Sequence, residues 1–176
     1  MFWIGLDRKG QMEQNIQQAL DRVSRFAGKP LEEYKDAITR ECCSLTGSTL
    51  SYFATMNPAE NVLTMIGWSK SAMINCSMID KPIVYNLTDT GLWGDAVRER
   101  KAVITNDYKN LVKPTKKGYP SGHVNVRKHM NLPIMDKGKV AMVIGVGNKT
   151  DDYTKEDAKI LDAFMGEVWK VLKTKL

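Results

Sequence analysis

HMNLPIMDKGKVAMVIGVGNK, residues 129–149, carries two apolar runs on either side of Asp136-Lys137-Gly138. A glycine at that place suits a tight hairpin loop, so the stretch reads as strand, turn, strand. The second run, KVAMVIGVG (139–147), is the most apolar strand-like segment of the chain. Near-continuous apolar character belongs to a strand covered on both faces, which puts this one at the centre of a sheet.

Upstream, TLSYFATM (49–56) and NVLTMIGW (61–68) form a second antiparallel hairpin, joined by a turn at Asn57-Pro58-Ala59-Glu60. PIVYNL (82–87) and VITNDY (103–108) read as short extended segments. Between them TGLWGDAVRERKA (90–102) has a short helical character, broken at its start by Gly91 and Gly94.

Helices flank these strands. From Gln11 to Ala27 apolar residues recur every three or four positions (Met12, Ile16, Leu20, Val23), and Gly28, a left-handed cap, and Pro30 end that helix. A second begins at Leu31, with Tyr34, Ile38, Cys42 and Leu45 on one face; Cys42 is core and Cys43 lies off the stripe. The last begins at Thr154, where Thr154 and Asp157 resemble a capping box, and Leu161, Phe164, Val168 and Leu172 make its stripe. Antiparallel strands with helices at both ends predict an α+β domain: terminal helices on one face of the sheet, irregular middle segments enclosing a pocket on the other.

Composition agrees with one soluble domain. Hydrophobic residues make up 43% and charged residues 26% of 176. No apolar run approaches the roughly 20 residues a membrane helix needs, and MFWIGLDRKG at the start is no signal peptide. Three cysteines, two of them adjacent, form neither a disulfide framework nor a zinc site, so the expected compartment is the cytoplasm. The net charge of +6 gathers between Lys109 and Lys128, yet no recognition helix or interleaved aromatics accompany it, so no nucleic-acid partner is expected.

KKGYPSGHV (116–124) fits neither helix nor strand. Gly118 and Gly122 permit backbone angles closed to other residues, and Tyr119 and Pro120 pack the segment down. It reads as a fixed lid with His123 pointing inward. Trp93, Asp107, Tyr108, Arg127 and His129 are placed around it. Asp107 and Arg127 either pair with each other or bind opposite ends of a ligand, and His129, opening a strand, is read as able to face solvent.

TGLWGDAVRERKAVITNDY (90–108), KKGYPSGHV, RKHMNLPI (127–134) and AMVIGVGNK (141–149) together resemble the GAF domain of histidine kinases and diguanylate cyclases. The resemblance implies an N-terminal amphipathic helix over 1–30 and a GAF-like domain over 31–176. It implies a non-catalytic small-molecule sensor of signal transduction, working as a homodimer through its terminal helices, with a fused or separate kinase or cyclase output domain. Its ligand-binding residues would be Trp93, Asp107, Tyr108, Tyr119, His123, Arg127 and His129. The family's cyclic-nucleotide signature is met in part by Asn148, Lys149, Tyr153 and Asp157; here Lys149 and Asp157 are read as an ion pair pinning the central strand to the last helix.

Three alternatives accompany that reading. One is a dimerisation module without ligand. A second is a haem sensor using His123, His129 or Cys76 beside the methionine-rich segment Met73–Met78, although no haem-attachment motif is present. The third is a reductase of free methionine sulfoxide, which the resemblance disfavours because Trp93 stands where those enzymes carry cysteine.

Overall fold

The computed structural model describes residues 8–74, 84–118 and 121–176. Helices α1 (Arg8–Ser24) and α2 (Leu31–Thr46) precede the hairpin of β1 (Leu50–Met56) and β2 (Val62–Trp68). The short helix α3 (Lys70–Ile74) and strand β3 (Val84–Asn86) follow, then two 3-10 turns, Leu87–Asp89 and Leu92–Gly94, and α4 (Asp95–Glu99). Strand β4 (Val103–Thr105), the hairpin of β5 (His129–Asp136) and β6 (Lys139–Gly147), and α5 (Lys155–Leu172) complete the described elements.

The six strands lie in the order β3-β2-β1-β6-β5-β4, antiparallel at every junction. The apolar run 139–147 is thus an inner strand, as its composition predicts. Its hairpin closes through Lys137 (φ 50) and Gly138 (φ 78) between the paired Asp136 and Lys139. Positive φ at both loop residues is the twist-compatible two-residue solution.

Alternation along β5 and β6 divides the molecule. Met130, Leu132, Ile134, Met142, Ile144 and Val146 face the three long helices and are almost wholly buried. They meet Ile16 and Val23 of α1, Tyr34 and Ile38 of α2, and Leu161, Phe164 and Val168 of α5. Each such large side chain contributes about 1.5–3 kcal/mol by leaving water. Residues of opposite parity, His129, Asn131, Val143 and Gly145, face the other side, where α4 and the middle loops lie over a smaller cluster that includes Met65, Ala96 and Val143.

Two local expectations are corrected. Gly28 is not left-handed: α1 ends at Ser24 and passes into hydrogen-bonded turns, with Phe26 N–H on Val23 O and Lys29 N–H on Phe26 O. The left-handed glycine cap belongs to α2, where Gly47 (φ 64) donates its N–H to Cys43 O. The strand read over 103–108 is only Val103–Thr105, because Tyr108 N–H turns away to Arg127 O at 3.0 Å. The capping box is present in full: Asp157 N–H reaches Thr154 Oγ1 and Thr154 N–H reaches Asp157 Oδ2.

Candidate ligand-binding site

The site starts from a missing side chain. A Cβ on Gly145 would stand 2.0 Å from Tyr52 Cε1 and 2.5 Å from Asn131 Oδ1. Bare backbone in the middle of β6 therefore lets Tyr52 from β1 and Asn131 from β5 reach across it and meet. Tyr52 Oη donates to Asn131 Oδ1 at 2.7 Å, and Asn131 Nδ2 donates to His129 Nδ1 at 2.7 Å. Glycine within a strand marks just such close approaches.

Above this floor lies a cavity of about 370 Å³. Its aromatic wall is Trp93, packed edge-to-face on Tyr85 (centroids 5.2 Å apart) and Tyr52 (6.0 Å), with Trp68 and Met65 alongside. Edge-to-face pairs add about 0.5–1.5 kcal/mol each and hold the rings in fixed orientation. Tyr108 stands edge-on to His129, with centroids 5.9 Å apart.

The lid over the cavity is formed by Lys117, Gly118, His123, Val124 and Val126. Gly118 (φ 75) and Gly122 (φ 80) take the left-handed angles that glycine allows. His123 Nδ1 lies 2.7 Å from Val124 O and donates to it. Lys117 Nζ donates to Thr88 O at 2.8 Å, tying the lid to the turn beside Trp93.

A stronger tether is Asp95, which is 2% exposed at the start of α4. One carboxylate oxygen accepts from Arg98 Nε and Nη2, and the other from Lys113 Nζ and Thr115 Oγ1, both at 2.7 Å. Burial pushes this carboxyl up, but the hydrogen bonds from Lys113, Thr115 and Arg98 outweigh it and hold it below the usual carboxylate range.

On the far side Asn148 (φ 59) accepts Arg127 N–H on Oδ1 at 2.8 Å and donates from Nδ2 to Asn125 O at 2.8 Å. The next residue, Lys149, places Nζ 2.7 Å from Asp157 Oδ1 in the first turn of α5. Lid exit and last helix are thus gripped by neighbouring residues.

Burial lowers the His129 pKa to about 4 against a smaller upward pull from Asp95, so the ring is neutral at pH 7. Burial also pushes the Tyr52 phenol up, so it stays protonated. Four lysines of the basic run, Lys113, Lys116, Lys117 and Lys128, are engaged within the chain. Lys113 pairs with Asp95 and Glu99, Lys116 binds Lys109 O and Leu111 O, and Lys128 pairs with Asp152.

Of the residues singled out in the sequence, Trp93, Tyr108, His123 and His129 line this cavity. His129 is only 9% exposed, so it faces the cavity and not bulk solvent. Asp107 and Arg127 are exposed and stand apart from it. Asp107 opens a turn by accepting from Asn110 N and Nδ2, and no ion pair joins it to Arg127 among the described residues. Tyr119 and Cys76 lie outside the described residues. Sequence reading missed Tyr52, Asn131 and Asp95; the glycines of VIGVG in a central strand were the available signal.

Neither Cys42 nor Cys43 lines the cavity. Among the described residues no three His, Cys, Asp or Glu side chains cluster to hold a metal ion, and no helix is long and apolar enough to cross a membrane.

Comparison with known proteins places this geometry. Residues 28–173 match the GAF domain family. A curated relative from Methanosarcina acetivorans, the methyl sulfide methyltransferase-associated sensor, is 43% identical over 158 residues. That alignment takes in 90% of this chain but 16% of the relative's length. Among solved structures, the GAF domain of an Acinetobacter phosphoenolpyruvate-protein phosphotransferase superposes with a TM-score of 0.68 at 12% identity, covering 93% of this chain and 94% of that one. The free methionine-R-sulfoxide reductase of Neisseria meningitidis, in complex with its substrate, gives 0.66 at 10% identity, covering 100% and 98%. At such identities the likeness is one of fold.

Proposed function

Because the chain belongs to the GAF domain family, we propose that it is a non-catalytic, ligand-sensing domain of a cytoplasmic signalling protein, with its ligand held between the sheet and the middle loops. The observation that carries this is the aromatic-walled cavity of about 370 Å³ under a glycine-shaped lid. The sensor relative supports it. Ligand binding would favour one arrangement of α1 and α5 over another, in a homodimer joined to a kinase or cyclase output domain.

Native mass spectrometry with an absorption spectrum, on protein purified from its own host, tests the reading. A retained mass, or a compound from a metabolite library that raises the melting temperature, is expected. Silence across a broad library would leave a dimerisation module.

One observation favours a haem-binding version: both histidines of the chain line this single apolar cavity. Iron takes the unprotonated nitrogen of a neutral imidazole, which in His123, whose Nδ1 donates to Val124 O, is Nε2. A Soret band that vanishes in His123→Ala would select this version, and colourless protein after reconstitution with haem would remove it.

A further inference from the structure

Resting on the sensing proposal, we infer that His129 is the specificity-determining group of the cavity, presenting its Nε2–H as a hydrogen-bond donor to a flat ligand whose buried part is uncharged and carries an acceptor.

Four observations carry this. The amide of Asn131 is oriented from one side by Tyr52, whose hydroxyl donates to Oδ1 at 2.7 Å, which leaves Nδ2 to donate to His129 Nδ1. A ring nitrogen that accepts carries no proton, so in the neutral imidazole the proton sits on Nε2. Nε2 has no hydrogen-bond partner among the described residues, yet no buried side-chain nitrogen or oxygen there lacks one. Nε2 is therefore open, and since the residue is 9% exposed and lines the cavity, it opens into the cavity.

The rest of the lining sets the ligand's character. Asp89 and Lys117 are the charged residues among the described walls, and both are exposed at the rim, engaged by Asn86 and by Thr88 O respectively. Among the described residues no cation reaches the floor to meet a buried phosphate or carboxylate, and no anion to meet an amine, so burying a charged group against them would be strongly unfavourable. Faces and edges of Tyr52, Trp93, Trp68 and Tyr85 instead suit a flat ring. A ligand acceptor meeting Nε2–H satisfies this open donor; a ligand without an acceptor strands it.

The test uses the wild-type chain first. Nitrogen-15 NMR of the imidazole should show the Nε2–H form; an Nδ1–H form would overturn the inference with no variant needed. Binding is then read by quenching of tryptophan fluorescence with isoquinoline, which carries a ring acceptor, and with naphthalene, its isostere without one. Isoquinoline should bind roughly three- to tenfold more tightly, the range of one net hydrogen bond. His129→Phe should abolish that preference.

Asn131→Asp should invert it, because a carboxylate accepts from both Tyr52 and Nδ1–H and leaves a lone pair on Nε2, which then favours the N–H of indole. Equal affinities in the wild type would overturn the donor role. Cyclic AMP or methionine seated in the cavity would overturn the ligand class and leave the sensing proposal standing. No binding by any probe, with no retained mass, would overturn both.

Discussion

Replacing Asp95 by Asn should loosen the lid and cost stability by an amount the geometry bounds. The carboxylate is 2% exposed and accepts from Arg98, Lys113 and Thr115. Removing one partner of a fully buried ion pair costs about 3–5 kcal/mol, because the other charge is stranded. Here the partner side chains are 30% and 31% exposed, so water recovers part of that loss. We expect about 2 kcal/mol, or a fall of about 4–8 °C in Tm for a chain of this size.

The sign of the pH effect is fixed. The folded-state pKa lies below the reference value of 3.8, so the contribution is complete above 3.8 and is lost as pH falls through the folded value. Urea unfolding of wild type and Asp95→Asn should differ by about 2 kcal/mol at pH 7. The gap should close below pH 3.8, and amide exchange over 113–118 should quicken in the variant. A gap that is absent at pH 7, or that widens on acidification, would refute the tether.

Other outcomes are equally specific. Since His129 titrates at about 4 when folded against 6.5 for the free side chain, stability should fall as pH drops through that interval, by up to about 3 kcal/mol, and His129→Phe should flatten the profile. Gly145→Ala sets a methyl 2.0 Å from the Tyr52 ring and should destabilise by about 1–3 kcal/mol and abolish ligand uptake; unchanged melting and uptake would show that the ring moves freely. A double-mutant cycle of Lys149→Met with Asp157→Asn should return a coupling of about 1 kcal/mol, and additivity would mean that the 2.7 Å contact does not pin α5.

What could be read in advance was local. The hairpin at Lys137-Gly138, the capping box at Thr154 and the three apolar stripes follow from residues a few positions apart. Glycine placement also marked the segments of Trp93 and His123 as irregular, whereas the inward turn of His129 at the head of β5 carried no such mark. The floor was not readable in the same way. Tyr52 and Asn131 are separated by 79 positions, and only strand order brings them to opposite sides of Gly145. Asp107 and Arg127 show the opposite error. Nearness to the lid in sequence suggested the pocket, whereas Asp107 serves its own turn and Arg127 meets its neighbours through its backbone.

The grip of Asn148 and Lys149 on two different parts of the chain makes one peptide bond a joint with a load on each side. Asn148 holds the segment leaving the lid, and Lys149 holds the first turn of α5. A displacement at either end would have to pass through the other or break a hydrogen bond. Linkage then runs in both directions: a partner that clamps the start of α5 would tighten the hold on a ligand by the same free energy with which the ligand tightens the hold on the partner. Under the proposed sensing role, such a joint would let an assembly set the threshold at which its own domain responds.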